Sequence, residues 1–251
     1  MVHSVVGDYW NVPPTRGEVL WQSTATSVAV DPLLTDKRLA RHLKRPDGSE
    51  VLALRQDIAN AFHASGIALD RIEAALEWLA SQGHEFADWE YVFYLTDHAR
   101  TELLGATLPD GCRVLREADA GLFAAFQAGI SEDDLDEAFV ELDHWLVVGA
   151  VSSQVSEVET IMAASSVYPW DGTTLADVGI VTSPAFRGRG LARTVVRAAA
   201  IATLARGHEP QYRCQVTNSA SRATGEAAGF ELFATWRVIT GEEPTTHAIR
   251  D

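Results

Sequence analysis

The sequence predicts an α/β protein, and three observations carry that prediction. Apolar runs of strand length alternate with stretches whose apolar residues recur at helical spacing. One such run, ending in Val181-Thr182-Ser183-Pro184, empties into the turn Arg187-Gly188-Arg189-Gly190 and then into a helix-like stretch. The 251 residues are 47% hydrophobic, enough for a substantial core in one large or two small domains.

Residues 1–108 form a first region without repeats or low-complexity tracts, opened irregularly by Pro13, Pro14 and Pro32. Residues 51–65 and 69–82 read as helices. In the second, Ile72, Ala75, Leu76 and Leu79 give the i, i+3, i+4, i+7 stripe and Gly83 suits a C-cap. Residues 91–95, Tyr-Val-Phe-Tyr-Leu, read as a strand. Leu108-Pro109-Asp110-Gly111 is rich in turn formers and sets the expected boundary between regions 1–108 and 109–251.

Past that boundary, residues 113–116 suit a strand, and 119–127 and 131–142 suit helices. Asp133, Asp134 and Asp136 favour the early turns of the second of these through its dipole. Residues 145–151 and 160–168 are strand-like, with a polar hairpin loop at 152–157 between them. Residues 175–182 are the strand feeding the glycine turn, and 191–206 the helix after it. A strand at 211–216, a short helix at 219–228 and a strand at 231–239 complete the pattern.

Charge and cysteine usage exclude several function classes. A net charge of −15 and a pI near 4.9 argue against nucleic acid or an anionic membrane as the main partner and suit a cationic substrate. Cys112 and Cys214 are too few for a disulfide framework. The start of the chain has neither a basic segment nor a long apolar run, so a cytoplasmic protein with reduced thiols is expected. The eight histidines and two cysteines show no metal-ligand spacing, so no metal is expected. Cys214, inside a strand, reads as a small hydrophobe. From 117 to 186 there is no Lys or Arg but thirteen Asp and Glu; Arg187, Arg189, Arg193, Arg197 and Arg206 then arrive together. Spacing by four puts 189, 193 and 197 on one helix face, either solvated or turned to an anion.

A strand, a glycine turn and a helix N-terminus together make an anion site. Free N–H groups of the first helical turn, the positive end of the helix dipole and Arg187 and Arg189 converge on one volume. Gly188 and Gly190 let the backbone approach phosphate oxygens. There is no Gly-Lys-Ser/Thr of a P-loop and no third glycine of a dinucleotide fingerprint. A pyrophosphate is the natural occupant.

Arg187-x-x-Gly190-x-Ala192 after this strand end resembles the acyl-CoA pyrophosphate loop of the GNAT superfamily of N-acyltransferases. Downstream, Tyr212-Arg-Cys-Gln-Val-Thr-Asn218, then Ser221, then Gly229-Phe230 follow in the order and spacing of that superfamily. The resemblance covers residues 111–239. It implies a mixed, largely antiparallel central sheet flanked by helices, preceded here by an additional N-terminal α/β region that is either a degenerate GNAT-like half or a packing lid. It also implies acetyl-CoA as cosubstrate, held by Ile180, Val181, Thr182, Arg187, Gly188, Arg189, Gly190, Leu191, Ala192, Asn218 and Ser221. The implied activity is acetyl transfer to a primary amine, a small cationic amine or a peptide amine, by direct attack in a ternary complex, from a monomer or homodimer. A catalytically weak acyl-CoA-binding or sensing module is the alternative.

In this superfamily, backbone N–H groups of the strand before the loop polarise the thioester, here around Ile180 to Thr182. Asp177 is the only acid in that strand and the first candidate base, although it stands one residue off the family's usual register. His144, which has a suitable unperturbed pKa, Glu157 and Glu159 are the other candidates. The tyrosine that commonly protonates the leaving thiolate in this superfamily falls on Gly225, where Ser221, Tyr212 or water could substitute. Trp10, Trp21, Trp78 and Trp89 either line an acceptor pocket or fill the core.

Overall fold

A computed structural model describes residues 4–35, 37–152 and 159–241. These fall into two compact units: 4–92 with 215–217 and 233–241, and 93–214 with 218–232.

The first unit opens with α1 (Ser4–Asn11), β1 (Val19–Gln22), β2 (Thr26–Val30), β3 (Ala40–Lys44) and β4 (Glu50–Leu54). It continues with α2 (Gln56–Ala64), α3 (Ile72–Ser81), β5 (Glu85–Phe86) and the start of β6 (Glu90–Leu95). Val28 pairs with Leu52 in parallel, and Leu52 with His42 antiparallel. His42 in turn pairs antiparallel with Arg237 of the last strand, given below. Phe62, Trp78 and Leu79 from the two long helices pack over Val28, Leu52, Leu54 and Ile239. Each such buried side chain contributes about 1.5–3 kcal/mol relative to exposure.

One sequence expectation is corrected here. Residues 51–54, expected as the start of a helix, are the strand β4, and the helix begins only at Gln56. Val-Leu-Ala-Leu is compatible with either state by propensity. Its place between β2 and β3, buried throughout, decides for the strand. Trp10 and Trp78 lie in the core.

The second unit carries α4 (Asp97–Leu103), β7 (Cys112–Val114), α5 (Ala120–Gln127), α6 (Glu132–Ala138), β8 (Leu146–Ser152) and β9 (Thr160–Pro169). There follow β10 (Leu175–Thr182), α7 (Leu191–Leu204), β11 (Glu209–Gln215), α8 (Ser219–Ala228) and the start of β12 (Phe230–Thr240). The strand order is β11-β10-β9-β8-β7, parallel at β10–β11 and antiparallel elsewhere. Side chains alternate along β10. Val181 joins Phe123 and Phe126 of α5, whereas Ile180 packs with Val195 of α7. A mixed, largely antiparallel α/β architecture with an N-terminal α/β region is therefore what the chain forms.

Helix α6 is shorter than the expected 131–142. Ser131 caps its start by accepting from the Asp134 N–H, and Phe139 ends it in the left-handed conformation, φ 47° and ψ 51°.

Candidate functional site

The junction between β10 and α7 joins a glycine turn to a helix start that no side chain caps. Pro184 opens a single 3-10 turn over Pro184–Phe186, after which Gly188 and Gly190 take φ of 75° and 76°. A Cβ at either glycine would meet nothing within 4 Å, so the backbone there is open to approach. Gly190 is the N-cap of α7 and offers no side-chain cap, and the first turn holds no acid. The early N–H groups of the helix, beginning at Leu191 and Ala192, have no carbonyl a turn earlier in the helix to receive them. Thr194 N–H already donates to the Gly190 carbonyl, so the ladder starts there.

The arginines divide into two sets. Arg187 donates from Nε to the Thr182 carbonyl (3.2 Å) and pairs with Asp134 of α6 at 2.9 Å. Ser131 first, and then Arg187, hold the Asp134 carboxyl below its usual range. Arg189 lies over the Phe186 ring at 5.2 Å. It precedes the helix, so the expected face of 189, 193 and 197 reduces to its last two members. Arg197 donates to the Ala228 carbonyl and to Glu102 of α4.

Beside this loop two strands part. β10 and β11 pair from Leu175↔Glu209 to Val178↔Tyr212, while β10 stays paired with β9 as far as Thr182↔Ala163. Ser183 N–H donates to Met162 O on the β9 side. Strand alternation then directs the N–H groups of Ile180 and Thr182 away from β9, to the side where β11 has left the ladder, and that of Val181 towards β9. Asn218 caps α8, its side chain accepting from Ser221 N–H at 2.8 Å and donating to Glu137. The Ser221 hydroxyl lies 2.8 Å from the Tyr212 phenol. Burial pushes the phenol's pKa up, so it stays protonated. A Cβ at Gly225 would sit 2.9 Å from the Tyr212 ring. Residue 225 has no side chain because Tyr212 fills that space.

Asp177 is buried and its carboxylate is saturated. It accepts from Tyr168 Oη (2.8 Å), Gln211 Nε2 (3.3 Å), Arg213 Nε (2.9 Å) and a second Arg213 nitrogen (2.7 Å). The Arg213 guanidinium in turn lies 4.3 Å from the Trp170 ring centroid. A carboxylate so held gives up charge-assisted bonds if it takes a proton, the opposite of what a base needs. Asp177 ties β9, β10 and β11 together, an arrangement that speaks against the expected proton-accepting role.

His144 packs against β9 and the end of α6. Its Nδ1 is 2.8 Å from Ser166 Oγ, which donates to the Phe139 carbonyl at 3.2 Å. The imidazole packs on the rings of Phe139 and Tyr168, with centroids 4.9 and 5.2 Å away. Phe139, Ser166 and Tyr168 escaped the sequence reading. The available signal was Gly179, a glycine inside a strand, where a Cβ would meet the Ala138 carbonyl at 2.2 Å. Glu159 pairs at the surface with Arg113, and Glu157 lies outside the described residues. Burial pushes the Cys112 thiol up, away from a reactive thiolate. Among the described residues no group of three or more His, Cys, Asp or Glu is arranged to hold a metal ion, and no helix is long and apolar enough to cross a membrane.

The sequence model of a family described as GNAT acetyltransferase matches residues 73–239. No curated protein matches the chain in sequence. Among solved structures the chain is similar to a GNAT-family acetyltransferase from Colwellia psychrerythraea, with 16% identity, 80% of this chain and 81% of that one covered, and a TM-score of 0.48. It is also similar to a GCN5-related N-acetyltransferase from Kribbella flavida, with 13% identity, coverage of 89% and 84%, and a TM-score of 0.47.

Proposed function

The chain belongs to the GNAT acetyltransferase family, and from that premise we propose that it moves an acetyl group from acetyl-CoA to a primary amine, a small cationic amine or a peptide amine, by direct attack in a ternary complex. The observation that carries the reading is the uncapped, acid-free N-terminus of α7 behind a turn of two positive-φ glycines, beside the place where β10 and β11 part.

In this reading the segment from Arg187 to Ala192 takes the pyrophosphate, its N–H groups and dipole opposing the negative charge. The pantetheine arm enters between β10 and β11. Ile180 and Thr182 N–H groups meet the thioester oxygen, where negative charge grows as the amine attacks. Ser221 is assigned to the departing sulfur, its hydroxyl 2.8 Å from the Tyr212 phenol. Asn218 holds the turn that presents Ser221. Acids of α6 in the same unit, Asp133 among them, raise the local concentration of a cationic acceptor.

Titration calorimetry with acetyl-CoA and a thiol-release assay over a panel of amines test the reading together. Micromolar binding and acceptor-dependent CoA release, faster for polyamine-like than for glutamate-like acceptors at low salt, are expected. Tight binding without release from any amine would support a binding module in place of a transferase.

A further inference from the structure

Two arginines that lie over aromatic rings show what such a guanidinium does in this chain. Arg213, 4.3 Å from the Trp170 ring centroid, grips Asp177 through two nitrogens. Arg41, 4.5 Å from the Tyr9 ring and 4.8 Å from that of Trp10, holds Asp31 at 2.8 Å. Arg237 of β12 lies as close to its rings, 4.5 Å from Phe86 and 4.4 Å from Trp89, yet holds no acid among the described residues. We infer that Arg237 is the centre of a second binding site, in the first unit, for the carboxylate of a small, singly charged organic acid.

The surroundings of Arg237 are fixed by the sheet. It stands opposite His42 in the pairing of β12 with β3. Lys44 lies two residues further along β3 on the same face, and Glu50 of β4 stands opposite Lys44. The Trp89 ring borders three of these side chains: its centroid is 5.2 Å from that of His42, 5.6 Å from Lys44 Nζ and 4.4 Å from the Arg237 guanidinium. Ala87 N–H donates to the Val238 carbonyl at 2.9 Å and Val216 N–H to the Trp89 carbonyl at 3.1 Å, which anchors the segment carrying the indole.

The acid of this cluster is already committed. Glu50 accepts from His42 Nε2 at 2.8 Å and pairs with Lys44 at 3.2 Å. Burial works upward on its pKa, but the bonds from His42 and Lys44 prevail and keep it ionised, an acceptor only. His42, its pKa lowered to about 4 chiefly by burial, is neutral with its one N–H on Nε2. His42 Nδ1 and Arg237 Nε are then buried without a hydrogen-bond partner among the described residues. The terminal nitrogens of Arg237, a half-buried residue, are not shut off from solvent in this way, and they make no hydrogen bond or ion pair among the described residues. Burial pulls the Arg237 pKa down, and only the charge of Glu50 works against it. A partly desolvated cation with no acid in contact is completed by an anion from outside.

Charge and shape select that anion. Lys44 and Arg237 bring two positive charges against one negative charge on Glu50, so a single further negative charge balances the cluster. A doubly charged phosphate would overshoot and be repelled by Glu50. The planar guanidinium fork matches a planar carboxylate, the pairing that Arg213 already makes with Asp177. The half-buried rings of Phe86 and Trp89 offer apolar surface to the body of the acid.

Benzoate is the probe, titrated calorimetrically into the full chain at low ionic strength without acetyl-CoA. It should bind the wild type, and benzamide, of the same shape without the charge, should not. Arg237→Lys keeps the charge and loses the fork; it should weaken benzoate binding at least ~10-fold, and Arg237→Gln at least as much. Lys44→Gln, at a side chain 44% exposed, should fold as the wild type does and weaken binding by about 2- to 5-fold. Should Arg237→Gln melt early in urea, Arg237→Lys and Lys44→Gln still decide the matter. Gly190→Asp, which alters the glycine turn of the other unit, should leave benzoate affinity unchanged. Absence of binding by the wild type at millimolar benzoate, wild-type affinity in Arg237→Lys, loss of binding in Gly190→Asp, or tighter binding of phenyl phosphate than of benzoate each overturns the assignment. None of these results depends on whether the chain transfers acetyl groups.

Discussion

Two strand-to-helix junctions in this chain solve one electrostatic problem in opposite ways. In the N-terminal unit, β4 passes to α2 through Arg55 alone. Asp57 in the first turn puts a carboxylate at the positive end of the helix, and Arg55 binds it through two nitrogens, each at 2.7 Å. In the C-terminal unit, β10 passes to α7 through a longer turn with two positive-φ glycines, and the first turn of the helix holds no acid. One junction already contains its anion. The other holds no acid, and in the function proposed above it takes the phosphates of acetyl-CoA from outside.

The strongest way to break this contrast is to fill the open junction. Gly190→Asp forces a side chain into φ 76° and places a carboxylate where the phosphates are expected. Acetyl-CoA affinity should fall at least ~100-fold by titration calorimetry, about 2.7 kcal/mol. Unchanged affinity would remove the loop from the binding site.

The N-terminal unit should answer to pH through stability instead. His42 is buried and its pKa is lowered to about 4, chiefly by burial; Glu50 opposes that shift, and Arg237 and Lys44 add to it. Between about pH 6.5 and 4 the unfolded chain binds a proton that native His42 refuses, so stability falls as pH falls, by at most about 1.4 kcal/mol per pH unit. Urea melts at pH 7, 6 and 5 should show that slope, and His42→Gln should flatten it. Burial works upward on Glu50, but hydrogen bonds from His42 and Lys44 prevail and hold it below its ordinary range, so its own loss comes at lower pH. An equal slope in the variant would assign the pH response to other groups. A smaller effect belongs to Asp57→Asn, which should cost a few tenths of a kcal/mol through the dipole of α2 and leave acetyl-CoA affinity untouched. A change in that affinity would mean that the first junction is not inert.

The contrast also shows what sequence can carry. The strand 175–182, the glycine turn and the helices from 191 and 219 were readable because each is punctuated locally, by Pro184, Gly188, Gly190 and Asn218. The apolar run at 51–54 has no period of its own, and only pairing on both edges makes it a strand. Strands β1 to β3 lack clean alternation, so the sequence does not mark them. Asp177 was found by residue type, but its role depends on Arg213 across a strand pairing. The arrangement around His144 needs β9, β10 and the left-handed end of α6 together, and no local signal marks Phe139 for that conformation. Likewise Gly225 reads as a gap in sequence and is explained only by the Tyr212 ring opposite it.

The smallest effect probes how the open junction is kept ready. Arg187 is half exposed and divides its donors between the Thr182 carbonyl and Asp134, itself 38% exposed at the side chain. An exposed ion pair of this kind is worth at most about 1 kcal/mol and weakens with salt. If Asp134 merely competes with phosphate for Arg187, Asp134→Asn should tighten acetyl-CoA binding by about 2- to 5-fold at low ionic strength, and the gain should vanish in high salt. If Asp134 instead aims Arg187 at the phosphates, the same substitution should weaken binding. Calorimetry at two salt concentrations separates the outcomes. We expect the gain, because Arg187 keeps its second anchor on Thr182 and because removing one acid beside the glycine turn lowers the negative charge the phosphates must approach.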